Sequence, residues 1–196
     1  MHILLISGKQ GSGKTRLKDY IVNNIQNSHH ISQAKPMRRI CKYFGDGVDE
    51  VIEQYDLDLD LEIETRQVMN FIATEWGRNI DPCIWVKCAV HEIKREMKFM
   101  DCFSQQVQDS ALFVIDDFRF ANEHAFITQH FDNVHTIRLD CPEDARRTRA
   151  KYWGEPEHQS EVNLDSFDFD LVIDTTRPSD EVDLAVRDFL KAQRAL

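Results

Sequence analysis

Glycine is scarce in this chain: its 196 residues hold 7, where an average usage of ~7% would supply roughly 14. Long apolar runs are missing too. None approaches the ~18 to 20 residues that a helical membrane span requires, which excludes a membrane partner of that kind. The start, Met1-His2-Ile3-Leu4-Leu5-Ile6, is too short and too uncharged for a signal peptide, so a cytoplasmic protein is expected. No cysteine pair has C-x-x-C spacing. Cys41, Cys83, Cys88, Cys102 and Cys141 are odd in number and form no zinc, redox or disulfide framework. They read as buried, reduced thiols. No internal repeat or low-complexity linker interrupts the chain, which predicts one domain over 1–196.

What is present is mostly acidic. Lys and Arg number 24 against 34 Asp and Glu, a net charge of −10, and 42% hydrophobic residues make the chain globular rather than disordered. The charge is unevenly spread. Residues 1–44 carry 8 basic side chains and 1 acidic one, 45–65 carry 9 acidic and no basic, and 152–176 carry 7 acidic and no basic. Binding a nucleic-acid polymer calls for a basic face. An acidic chain with a basic first quarter suits a small anion instead.

Hydrophobic periodicity alternates strand and helix. Strands are expected at Ile3 to Ile6, weakly at His29 to Ser32, and at Leu112 to Ile115, Val134 to Leu139 and Phe169 to Ile173. Helices are expected from Lys14 to Ile25, from Pro36 towards Phe44, from Glu62 to Arg78, and after an Asp81-Pro82 cap. Further helices follow at Ala121 to Gln129, after Pro142, and around Val182 to Leu190. Strands separated by helices predict a three-layer α/β sandwich, an about five-stranded parallel sheet with helices on both faces.

Three of the seven glycines fall in Gly8-Lys9-Gln10-Gly11-Ser12-Gly13-Lys14-Thr15, which fits G-x-x-x-x-G-K-[ST] between a strand and a helix. This is a phosphate loop. Its backbone N–H groups turn inward on phosphate oxygens and the following helix adds its positive end. Gly8, Gly11, Ser12, Gly13, Lys14 and Thr15 are therefore the expected ATP contacts, with Lys14 on the β and γ phosphates and the Thr15 hydroxyl on Mg²⁺. Asp116, ending a strand, is the second expected Mg²⁺ residue, with Asp117 next to it; a turn-capping role is the alternative. Arg119 lies just beyond, at the sheet edge where ligands bind in open α/β folds.

Arg146, Arg147, Arg149 and Lys151 crowd one short segment ahead of Gly154 and Pro156. That pattern fits a lid at about 142–162 whose arginines, Arg146 and Arg149 among them, neutralise transferring phosphate charge; a solvated helix face is the plainer reading. Gln67, Asn70, Thr74 and Arg78 follow at spacings of 3, 4 and 4, an amide stripe suited to a base edge and one phosphate. Trp85 is placed to stack on a base or to pack with Ala89 and Ile93. Lys35 and Arg38 are candidates for an acceptor phosphate. His158 reads as a surface residue.

The phosphate loop, Thr74-Glu75-Trp76-Gly77-Arg78 with Asp81-Pro82 and Trp85, Asp116-Asp117-Phe118-Arg119-Phe120 with Asn122-Glu123, and His158-Gln159-Ser160-Glu161 together resemble the deoxynucleoside monophosphate kinases of tailed bacteriophages. The resemblance implies a nucleoside-monophosphate-kinase-like fold with an acceptor-binding insertion at about 35–100 and an Arg-rich lid. It implies transfer of the γ-phosphoryl of ATP to a deoxynucleoside monophosphate, in host cytoplasm if phage-encoded, and it is compatible with a homodimer. By position, Arg78 and Arg119 would contact the acceptor phosphate. Animal-type phosphomevalonate kinase is similar in several of the same segments. Two other readings therefore stand beside the first: a kinase of another phosphorylated small molecule, and a phosphate-loop ATPase or regulator. The acidic 45–65 segment matches neither family.

Overall fold

From Ile3 to Ile6 the first strand is wholly apolar, and all seven residues of β1 (His2–Gly8) are buried, the polar His2 and Ser7 included. That is the mark of a central strand covered on both faces. The structure, a computed structural model, describes residues 1–43, 68, 71–150, 153, 158–193 and 195. The acidic 45–65 segment, Gln67 and Asn70 of the amide stripe, and Gly154 and Pro156 of the expected lid lie outside them. Within the described residues the chain forms two compact units, one of residues 1–32 with 90–196 and one of residues 33–89. The second unit falls within the expected 35–100 insertion, apart from its first two residues.

The first unit is built on a five-stranded sheet. After β1 come α1 (Lys14–Asn24), β2 (Ser28–His30), β3 (Leu112–Ile115), β4 (Val134–Asp140) and β5 (Leu171–Asp174), in the spatial order β2-β3-β1-β4-β5. All four pairings are parallel. Leu4 and Ile6 of β1, Val114 of β3 and Leu139 of β4 form one core with Leu17 and Ile21 of α1 and Val182, Val186 and Leu190 of the last helix (Ser179–Ala192). Ile3, Leu5, Phe113 and Ile115 alternate with these along the strands and are fully buried as well. The expected parallel α/β sandwich with both sheet faces covered is what forms.

The second unit departs from expectation in its winding. Residues 34–43 are helical, so Pro36 is the third helical residue rather than the first, still inside the turn whose N–H groups lack intrahelical acceptors. Phe71–Gly77 winds as a π-helix and runs into α3 (Arg78–Ile80), after an α2 made of residues 34–43. Gly77 ends this stretch in close contact with its surroundings. A Cβ on Gly77 would collide with the Trp85 ring and lie 2.7 Å from the Ile72 carbonyl oxygen. Gly77 at φ −65° is unstrained, so it is close approach that requires glycine here. Asp81 and Pro82 do not start the next helix directly. Asp81 Oδ1 accepts the Cys83 N–H at 2.8 Å in a turn, and α4 begins at Ile84 (Ile84–Met100).

The remaining elements are α5 (Gln105–Asp109), α6 (Ala121–Thr128), α7 (Glu143–Arg149), α8 (Gln159–Val162) and α9 (Ser179–Ala192). Among the described residues, no helix is long and apolar enough to cross a membrane. The cysteines are free thiols as expected, but only Cys141 is buried; Cys102 is exposed, its Sγ held by the Phe99 carbonyl at 3.0 Å.

Candidate active site

The loop between β1 and α1 turns through two left-handed residues, Gly11 at φ +80° and Gly13 at φ +98°. Only glycine enters that region without strain. Gly11 also lies against α7, since a Cβ there would come within 2.5 Å of the Arg146 carbonyl oxygen. Inside the turn, the Ser12 hydroxyl is buried with no hydrogen-bond partner among the described residues. A buried, unmatched hydroxyl costs free energy. Together with the curled backbone it fits a chain of phosphate oxygens.

Lys14 opens α1, and its Nζ donates to the carbonyl oxygens of Gly8 and, at 3.0 Å, Lys9. Burial, followed by the repulsion of the Arg119 charge, pulls its pKa down to about 7. Thr15, next along, is exposed on the first turn of α1. Asp116 follows the end of β3, and its Oδ1 bonds His30 Nε2 at 2.7 Å. Burial would raise the Asp116 pKa, but the His30 hydrogen bond and charge, with Lys18, leave it below the usual carboxylate value. Asp117 Oδ2 accepts the Ser32 hydroxyl at 3.1 Å. Thr15 and Asp116 offer only oxygen donors, the chemistry Mg²⁺ prefers.

The arginines separate into different roles. Arg119 Nη1 donates to Glu161 Oε1 at 2.6 Å and to the Ser160 carbonyl at 3.3 Å. Glu161 Oε2 accepts the backbone N–H of Gln10, in the loop itself, at 2.7 Å. Burial pushes the Glu161 carboxyl up, but the Arg119 charge, the Gln10 N–H and Lys14 bring it below its ordinary pKa. Arg146 is 7% exposed, less open than a lid arginine waiting for a ligand. It donates from Nε to the Cys141 carbonyl at 3.0 Å and from Nη1 to the Gln10 carbonyl at 3.1 Å, and its guanidinium lies over the Trp153 ring. Arg149 Nη1 meets only the Cys141 sulfur, at 3.5 Å, among its described contacts. Arg147 pairs with Glu143 at 2.8 Å, and its guanidinium also lies over the Trp153 ring, 4.7 Å from the centroid.

Arg138 was not expected from the sequence. On β4 it stands in register with Ser7 of β1, donates to the Ser7 hydroxyl at 3.1 Å and to Asp165 at 2.8 Å, and adds to the repulsion that lowers the Lys14 pKa. Asp165 also pairs with Lys9 at 2.8 Å. The strand position was visible in the sequence; the Asp165 partner, 27 residues on, was not. His158 is structural: its Nδ1 accepts the Ser160 N–H at 3.3 Å and caps α8.

In the 33–89 unit, Trp85 takes its core alternative but with other neighbours than expected. It is 3% exposed, clusters with Ile72 and Met37, and donates from Nε1 to the Ala73 carbonyl at 2.7 Å. Arg78 Nη1 donates to the Pro82 carbonyl at 2.9 Å, and Lys35 is exposed on α2. Thr74 lies in the π-helical stretch and Arg78 opens α3, while Gln67 and Asn70 of the same stripe lie outside the described residues.

The fold and the loop define a phosphate-loop α/β protein. No protein-family model matches the chain, and neither does any curated protein. Among solved structures it is similar to TT1252 from Thermus thermophilus, at 13% identity over 97% of each chain with a TM-score of 0.54. It is similar also to the tunicamycin resistance protein of Deinococcus radiodurans, at 14% identity over 98% of this chain and 95% of that one, TM-score 0.51. A sugar kinase from Janibacter sp. HTCC2649 aligns over 100% of this chain and 98% of its own, at 14% identity and a TM-score of 0.50. These likenesses establish the fold.

Proposed function

We propose that this protein is a kinase of small phosphorylated molecules that transfers the γ-phosphoryl of ATP to a deoxynucleoside monophosphate, giving the diphosphate and ADP. The observation that carries this reading is the convergence of Lys14, Arg119 and Arg138 on one phosphate loop in a chain of net charge −10. The likeness of fold to a sugar kinase supports phosphoryl transfer to a small molecule; the deoxynucleotide rests on the sequence resemblance. An acceptor phosphate is already anionic, so no strong general base is needed and catalysis is positioning plus charge neutralisation. Lys14 and Arg119 supply that neutralisation here. Arg149 contributes to it from α7, and Arg146 acts by bracing the loop. Thr15 and Asp116 would hold Mg²⁺, which would supply neutralisation of polyphosphate charge. Arg78 remains an acceptor-phosphate contact on the strength of the resemblance, and Lys35, Gln67 and Asn70 remain acceptor contacts on their positions in the sequence.

The test is ADP release with MgATP and each of the four deoxynucleoside monophosphates, thymidylate included. Acceptor-dependent turnover is expected; ATP hydrolysis at one rate with or without acceptor would instead mark an ATPase. One observation favours a second reading, a different phosphorylated acceptor such as phosphomevalonate. Trp85, which the sequence left open to base stacking or core packing, is buried in the core with its N–H bonded. Phosphomevalonate therefore belongs in the same panel.

A further inference from the structure

Glu161 places a buried carboxylate among the cations of the phosphate loop. Glu161 accepts the Gln10 N–H with one oxygen, at 2.7 Å, and Arg119 with the other, at 2.6 Å, while its side chain is 9% exposed. The helix that carries it is fixed by the His158 cap, and the Ser160 carbonyl beside it takes a second bond from Arg119. From the other side, Glu123 Oε2 accepts the backbone N–H of Arg119 at 2.9 Å. An arginine has a long, rotamer-rich side chain, and here both ends of it are tied before any ligand arrives.

A buried negative charge next to a phosphate loop opposes the binding of polyphosphate. Its compensating effect is on the guanidinium. We propose that Glu161 is a positioning residue for phosphoryl transfer: through its two bonds it holds Arg119 against the loop at Gln10, so that the guanidinium is in place when charge develops on the transferring group. The inference deepens the proposed function and rests on it for the turnover measurement. It predicts a split that a plain structural strut does not produce: losing the carboxylate charge slows transfer without weakening the hold on ATP.

The experiment compares wild type, Glu161→Gln, Arg119→Ala and the double variant for MgATP binding and for acceptor-dependent turnover. Glu161→Gln is expected to lower kcat about tenfold or more with an ATP Kd equal to or tighter than wild type, and the double variant is expected to be no slower than Arg119→Ala alone. Full kcat in Glu161→Gln, or losses that multiply in the double variant, would overturn the inference. A wild type that turns over no acceptor would remove the proposed function. The inference is then decided by hydrogen exchange at the ¹⁵N-labelled Arg119 side chain in the ligand-free protein. About tenfold faster exchange in Glu161→Gln supports it, and equal rates overturn it. Where Glu161→Gln fails to fold, Glu161→Asp, which keeps the charge on a shorter arm, is read by the same measurements and criteria.

Discussion

Arg146 and Gly11 meet backbone to backbone: the Arg146 carbonyl oxygen fills the space that a side chain on Gly11 would need, at 2.5 Å from its Cβ position. The same arginine returns to the loop through its bond to the Gln10 carbonyl. The phosphate loop and α7 are therefore one packed assembly.

Two alanine substitutions in the loop separate backbone strain from this contact. Gly11→Ala combines the left-handed cost of about 1–2 kcal/mol with a backbone clash. Gly13→Ala carries the strain alone, because nothing lies within 4 Å of its Cβ position. Urea unfolding should show Gly11→Ala to be the more destabilised of the two, by at least 1 kcal/mol or so.

Neighbouring arginines on α7 should differ sharply. Arg146→Ala breaks one buried and one half-buried charge-assisted bond and leaves the Cys141 and Gln10 carbonyls without that donor, a loss of about 2–3 kcal/mol by thermal or urea melting. Arg147→Ala removes an ion pair with side chains 57% and 49% exposed and a guanidinium contact on the Trp153 ring. It should cost about 1 kcal/mol or less. Arg146→Lys should not restore the wild type, because an ammonium cannot make the forked contact or lie flat on Trp153.

Lys14 should take up a proton when ATP binds. With a pKa of about 7 it is mostly neutral at pH 8 in the empty protein, and polyphosphate favours its charged form. Titration calorimetry in buffers of different ionisation enthalpy should give uptake of nearly one proton at pH 8, falling towards none at pH 6. Lys14→Arg, charged throughout, should show none of this uptake. The stability linkage has the matching sign. A lysine whose pKa is depressed in the folded state destabilises it fully below pH ~7, and the penalty is relieved as pH rises from there towards the unfolded value of 10.5.

Gly77→Ala should destabilise the 33–89 unit by steric conflict with Trp85 and the Ile72 carbonyl, about 1–3 kcal/mol. In a Trp85→Phe background, where the six-membered part of the indole is gone, the same change should cost measurably less. Tryptophan fluorescence cannot follow Trp85→Phe at that site, so circular dichroism melts are the readout. A Gly77→Ala cost unchanged between the two backgrounds would contradict the packing described.

Asp116→Asn should raise the Mg²⁺ concentration needed for half-maximal turnover at least several-fold, because the neutral amide is a weaker ligand for a hard cation. It also removes the charged partner of His30. Turnover measured across a Mg²⁺ titration checks this, with Asp117→Asn as the comparison.

Much of the first unit was legible because its signals are local. The phosphate loop is eight consecutive residues, and β1 and β3 are short runs whose burial on both faces leaves little choice of structure. The winding of Phe71–Gly77 was not legible, since helical turns closed at four or five residues share one composition. Burial divided the arginines in a way that spacing could not. Arg146 and Arg149 lie on one helical face, yet only Arg146 reaches the Gln10 carbonyl. Glu161 stood inside a quoted motif, but its role depends on Gln10, 151 residues earlier in the chain.

Central placement of β1 has a kinetic consequence. Both of its edges are paired, to β3 and to β4, and every residue along it is buried. Its amides should be among the last in the protein to exchange with deuterium, opening only when the whole unit unfolds. The loop that begins at Gly8 thus hangs from the slowest-breathing segment of the sheet, and any rearrangement on nucleotide binding has to be taken up on the α1 and α7 side.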